Sequence, residues 1–135
     1  MSYEILPHPA DVRFRATGPT LDAAFAAVVD AFADLSEGAG EDGQRHEIRI
    51  ESEDGEALLF DFLAKLVLLQ ELEECAVSRA ETVDIEERGE GYALVSTVRA
   101  GPIEEALFDI KSPTYSQMVV EERDGEWVLE ATLDI

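Results

Sequence analysis

The sequence predicts a layered α+β domain, on three observations. Two stretches, 21–35 and 58–72, keep apolar residues at helical spacing, and most of the remainder alternates apolar and polar residues with the period of a strand. The later strands are joined by short glycine-containing turns, so they fold back on one another as hairpins. Two helices among seven or so strands, mostly in hairpins, favour segregated layers over alternating parallel βαβ units.

Taken in order, residues 3–6 form a first short strand. Residues 10–17 form its partner, with Val12, Phe14 and Ala16 facing one way and Arg13, Arg15 and Thr17 the other, a strand with one wet face. Pro7 and Pro9 remove backbone donors and hold the residues before them extended, so His8 sits in a bend. Thr20 is an N-cap for the first helix, whose apolar positions are Leu21, Phe25, Val28, Val29, Phe32 and Leu35. Asp22 suits its positive end, and Gly38 is a natural stop.

A strand over 45–51 alternates around Ile48 and Ile50, and Asp54-Gly55 leads into the second helix. Leu58, Leu59, Phe62, Leu63, Leu66, Leu69 and Leu72 line that helix, and Val67 and Leu68 widen the stripe, so it should be buried on more than one side. Strands over 77–87 and 92–100 flank Arg88-Gly89-Glu90-Gly91, and strands over 117–122 and 126–134 flank Asp124-Gly125. At 135 residues, with no repeat and no linker longer than the glycine-rich 38–43, the chain reads as one domain spanning 1–135.

Thirty-one acidic residues against ten basic ones give a formal net charge of −21. Direct nucleic-acid binding needs a basic face, and the cations here are scattered among acids, so none is expected. So dense an acidic surface repels itself at low salt and is relieved at about 1 M salt, where the screening length falls to roughly 3 Å. With only Lys65 and Lys111 beside eight arginines, the composition points to a halophilic acidic protein. No apolar run approaches the roughly 18 residues of a membrane span, and the start shows no secretory signal, so a cytoplasmic location is expected. Cys75, the single cysteine, excludes an internal disulfide and reads as a small buried residue.

Three clusters could carry chemistry. The final strand ends on Leu133-Asp134-Ile135 without a polar tail, which suggests a terminal carboxylate held in place beside Asp134. Those are neighbouring hard oxygen donors, suited with one further acid to calcium, magnesium or manganese. In His8-Pro9-Ala10-Asp11, Asp11 stands at the mouth of a strand, where it either caps a turn or faces a pocket. Two histidines, His8 and His46, are too few and too differently placed for a zinc site. In the stretch from Asp109 to Ser116, Lys111 precedes Ser112, Thr114, Tyr115 and Ser116, a set able to hold a phosphate or an acidic partner. A serine–lysine nucleophile pair is formally available there, though no glycine elbow or third group accompanies it.

Together these phrases resemble the archease family, activators of the RtcB-type tRNA-splicing RNA ligase. The matching phrases are His8-Pro9-Ala10-Asp11, Gly18-Pro19-Thr20-Leu21, the leucine-rich 58–72, Lys111-Ser112-Pro113-Thr114-Tyr115 and the closing Asp134-Ile135. They keep the family's order along essentially the whole chain. Pro9 replaces a usual threonine, Ser116 a common histidine and Phe62 a frequent tryptophan.

The resemblance implies helices packed between antiparallel β-sheet layers and a divalent ion held by Asp11, Asp134 and Ile135, with calcium expected in isolation and manganese or magnesium as alternatives. It implies a role for Lys111 in activation, with His8 and Tyr115 as further candidates. The implied activity is not catalytic: the chain would promote guanylylation and multiple turnover of the ligase in tRNA splicing, meeting GTP and tRNA only through it. An acidic chaperone or interaction module and a small serine–lysine hydrolase are the rival classes.

Overall fold

The computed structural model describes residues 1–6, 11–36, 43–103 and 110–135. Two antiparallel sheets enclose a helical layer. The first sheet has the order β1-β2-β7-β6, from β1 (Ser2–Leu6), β2 (Val12–Gly18), β7 (Glu126–Asp134) and β6 (Ser112–Arg123). The second has the order β3-β5-β4, from β3 (Gln44–Ser52), β5 (Gly91–Pro102) and β4 (Cys75–Arg88). Helix α1 (Leu21–Ser36) lies against β2 of one sheet and β4 of the other, and α2 (Gly55–Glu73) against β6 and β3. The layered α+β expectation is met.

Local chemistry explains the element ends. The Thr20 hydroxyl accepts from the Ala23 amide at 3.0 Å, and the Asp54 carboxylate from the Ala57 amide at 2.7 Å, so both helices begin on side-chain caps. Gly18 ends β2 so close to α1 that a Cβ would sit 2.6 Å from the Ala24 nitrogen. Asp124 and Gly125 join β6 to β7 with φ of 52° and 80°, the two left-handed residues that a two-residue hairpin turn requires. The predicted stop at Gly38 lies outside the described residues.

Both sheets and both helices contribute to one core. Phe14, Phe25, Phe32, Phe62, Leu66 and Leu129 are fully buried, and the rings of Phe25 and Phe62 meet at 5.6 Å between the helices. Cys75 is buried as expected, and burial, with the nearby Glu73 charge, pushes its thiol up. Three expectations need correction. β6 begins at Ser112, not at 117, because Pro113 is tolerated on a sheet edge, where its missing N–H costs no ladder bond. Leu68 and Leu72, assigned to the buried stripe of α2, are 42% and 69% exposed. The face of β2 bearing Arg13 is not wet, for a reason that belongs to the site.

Candidate metal centre

The ladder between β2 and β7 runs from Gly18↔Trp127 to Val12↔Leu133. One step further the same register sets Asp11 opposite Asp134. The β6 ladder pairs Ser112 with Asp134, and the Lys111 amide donates to the Asp134 carbonyl at 2.9 Å, so the next step sets Lys111 opposite Ile135. Three strand ends thus bring together residues more than a hundred positions apart in sequence.

Alternation assigns their faces. Leu129, Ala131 and Leu133 point into the core, so Glu130, Thr132 and Asp134 lie on the opposite face, with Asp11, Arg13 and Arg15 beside them. Lys111 belongs to the inner side. There it lines a shallow cavity of about 200 Å³ with Ser112, Pro113 and the α2 residues Ala64, Val67, Leu68 and Glu71. The aspartates and the lysine are therefore neighbours in backbone but address different faces of the sheet.

The outer face beside the aspartates is sealed by β6. Its register slips between Thr114 and Val119, and the extra residues form a bulge with Gln117 at φ 56°. Arg13 donates from Nη1 to the Gln117 carbonyl at 2.8 Å and to the Thr132 hydroxyl at 3.2 Å, and from Nη2 to Glu130. The Thr132 hydroxyl donates to the Ser116 carbonyl at 3.1 Å. Arg15 binds the other Glu130 oxygen at 3.2 Å and also reaches Glu4. Arg13, Glu130 and Thr132 are consequently buried, although the alternation predicts a solvated face. Sequence reasoning passed over this network. Its one signal is Glu130, the only acid inside the otherwise uncharged run of β7 between Glu126 and Asp134.

Tyr115, at the start of the bulge, stacks on Phe60 of α2 with ring centroids 4.3 Å apart and planes 5° from parallel. Partial desolvation, then the charges of Asp61, Asp54 and Glu53, hold its phenol above the ordinary tyrosine value. It stands on β6 three residues beyond Ser112, which pairs with Asp134. Ser116 lends its amide to the Thr114 hydroxyl at 3.1 Å. His8, Pro9 and Asp109 lie outside the described residues.

The donor chemistry suits a hard cation. Asp11 and Asp134 put two carboxylates at the ends of adjacent strands, and hard oxygen donors of that kind are what calcium, magnesium and manganese take. Among the described residues no three His, Cys, Asp or Glu side chains form a metal-holding group. A larger cavity, about 440 Å³, lies elsewhere, between β3 and α2. It holds neither aspartate.

Residues 3–135 match the model of the Archease protein family (MTH1598/TM1083). The chain belongs to the archease family. Protein archease of Pyrococcus abyssi is 31% identical over 98% of both chains, and that of Methanosarcina mazei is 31% identical over 98% of this chain and 95% of its own. The solution structure of Methanobacterium thermoautotrophicum protein 1598 superposes with a TM-score of 0.84 at 25% identity, covering 98% of each chain. A Thermotoga maritima archease, described as a possible chaperone, shares the fold at a TM-score of 0.68 and 18% identity. Among the described residues no helix is long and apolar enough to cross a membrane.

Proposed function

We propose that this archease is a non-catalytic activator of the RtcB-type tRNA-splicing RNA ligase, promoting transfer of a guanylyl group from GTP to the ligase and so allowing repeated turnovers. The observation that carries the reading is the register of the first sheet, whose last pairs, Val12↔Leu133 and Ser112↔Asp134, leave Asp11, Asp134, Lys111 and Ile135 at one end of that sheet. Asp11, Asp134 and the Ile135 carboxylate would hold a divalent ion, which supplies charge neutralisation where phosphates approach a strongly acidic protein. Lys111, on the adjoining inner face, would meet a carboxylate or phosphate of the partner. GTP and tRNA would be met only in the ligase complex, since a chain of net charge −21 repels free phosphate backbones.

Within this chain the hydrolase alternative lacks its essential contact. Among the described residues neither Ser112 nor Ser116 hydrogen-bonds to Lys111, and the Ser116 main chain is committed to Thr114 and Thr132. The test is ligase guanylylation under multiple turnover with the unmodified chain, Asp11→Ala, Lys111→Ala and a version extended beyond Ile135. Stimulation by the unmodified chain and loss in all three variants is expected. Equal stimulation by all four would refute the site, and inertness of the unmodified chain would refute the function. A protein that instead protects many unrelated clients from aggregation, with or without metal, would be a chaperone.

A further inference from the structure

We infer that β3 is a self-association edge, through which two copies of this chain pair antiparallel about Ile48 into one continuous six-stranded sheet. The first ground is that β3 is the one sheet edge protected neither by shortness, nor by an irregularity, nor by proline. Of the four edges, β1 is only five residues long, β4 carries two register shifts, and β6 carries Pro113 and a bulge. Those are the devices that stop edges from pairing. β3 runs nine residues in unbroken register with β5, from Gln44↔Ala100 to Ser52↔Tyr92, and contains neither lysine nor proline. Among the described residues its other side pairs with no strand.

The second ground is charge. The outward face of β3 presents Arg45, Glu47, Arg49 and Glu51 in alternation, all exposed, while His46, Ile48, Ile50 and Ser52 face the helices. Antiparallel pairing of β3 with itself about Ile48 sets Arg45 opposite Glu51 and Glu47 opposite Arg49, so every charge on that face meets its opposite in both copies. Moving this register by one residue puts the charged face against the inner one, and moving it by two opposes like charges, Arg45 to Arg49 and Glu47 to Glu47 in one direction, Glu47 to Glu51 and Arg49 to Arg49 in the other. The present partners, Glu47 with Arg49, Arg45 with Glu81 and Arg88 with Glu51, are exposed pairs that exchange at little cost.

The third ground is the apolar surface beside that edge. Leu68 and Leu72 emerge on α2 next to Ile48 and Leu69, lining the cavity between β3 and α2. A two-fold axis at Ile48 brings the same flank of the second copy to this cavity and removes both leucines from water, as an isologous interface requires. The paired aspartates sit on the other sheet. Two chains of net charge −21 repel, so association should strengthen as salt rises.

Sedimentation velocity across protein concentration in molar potassium chloride tests the inference. The unmodified chain should form a dimer. Arg49→Glu, which opposes Glu47 to a second glutamate at two symmetric places, should weaken association by about tenfold, and Glu47→Arg combined with Arg49→Glu should restore it. Leu72→Asp, at an exposed position, should leave the fold intact by circular dichroism and give monomer. A monomeric unmodified chain at high protein concentration would overturn the inference. So would a dimer indifferent to Arg49→Glu and Leu72→Asp, or a charge-swapped pair that fails to recover.

Discussion

Arg13→Met isolates the network that closes the outer face of the first sheet. Arg13 and Glu130 form an ion pair at 2.5 Å, with side chains only 10% and 9% exposed. Removing the cation leaves a buried carboxylate with only Arg15 at 3.2 Å, and strips a donor from the Gln117 carbonyl. Breaking a buried pair from one side costs about 3–5 kcal/mol. Arg15 and the surviving Thr132–Ser116 bond offset part of that, so we expect a loss of about 2–4 kcal/mol. Stability of about 5–15 kcal/mol is usual, so this is a large share, corresponding to roughly 10 °C in melting temperature. Arg15→Met is the control: at 37% side-chain exposure its pairs are screened, and its loss should stay below about 1 kcal/mol. The double variant Arg13→Met with Glu130→Leu removes both charges and should regain at least half of the single variant's loss. Urea unfolding at fixed potassium chloride measures all three. Equal losses from Arg13→Met and Arg15→Met, or a double variant worse than Arg13→Met alone, would refute the reasoning.

Gly125→Ala should cost about 1–2 kcal/mol in the same urea assay, since Gly125 holds φ at 80° in the β6–β7 turn, and a loss near zero would mean the turn is not of this type. Burial raises the Asp30 carboxyl, so its folded-state value lies above its unfolded one. Its contribution is then fully present below the unfolded value and lost as pH rises through the folded value, and Asp30→Asn should be the more stable form at pH 7. That advantage should shrink as pH falls through the carboxylate range, and a pH-independent difference would count against desolvation as the cause. Melting temperature should climb steeply with potassium chloride into the molar range, as self-repulsion at net charge −21 is screened, and a flat profile above dilute salt would remove the halophilic assignment.

What the sequence made legible follows the range of the interactions involved. The cap at Thr20, the start of α2 after Asp54-Gly55 and the turn at Asp124-Gly125 are local, each made by residues within a few positions of one another, and all three were read, although the capping role of Asp54 was not. The start of β6 was not. Pro113 argues against a strand unless the strand is known to be an edge, and edge status depends on the order of the whole sheet. The burial of Arg13 and Glu130 was hidden for the same reason, because a bulge from a third strand covers a face that alternation assigns to solvent. Leu72 misled in the opposite sense: helical spacing groups it with core residues, but it stands on the side of α2 that lines the open cavity beside the edge strand β3.

The candidate site shows the same division. Asp11 and Asp134 were each better explained, taken singly, as a turn cap and a solvated acid. Only resemblance joined them, because residue types carry no information about which strands are neighbours. The ladder brings the two strand ends together and sets Lys111 on the other face of the sheet. The aspartates lie on the face shared with Arg13 and Glu130, whereas Lys111 turns toward α2 and its cavity. A chain of such acidity has no shortage of carboxylates, so number cannot select a metal position. Placement can. Asp11 stands two residues before Arg13 and Asp134 two residues after Thr132, on adjacent antiparallel strands, in a column whose arginine is held by the Gln117 carbonyl, Thr132 and Glu130. Rigid backing of this kind limits how far the two strand ends can separate, which solvated surface acids elsewhere on the chain lack.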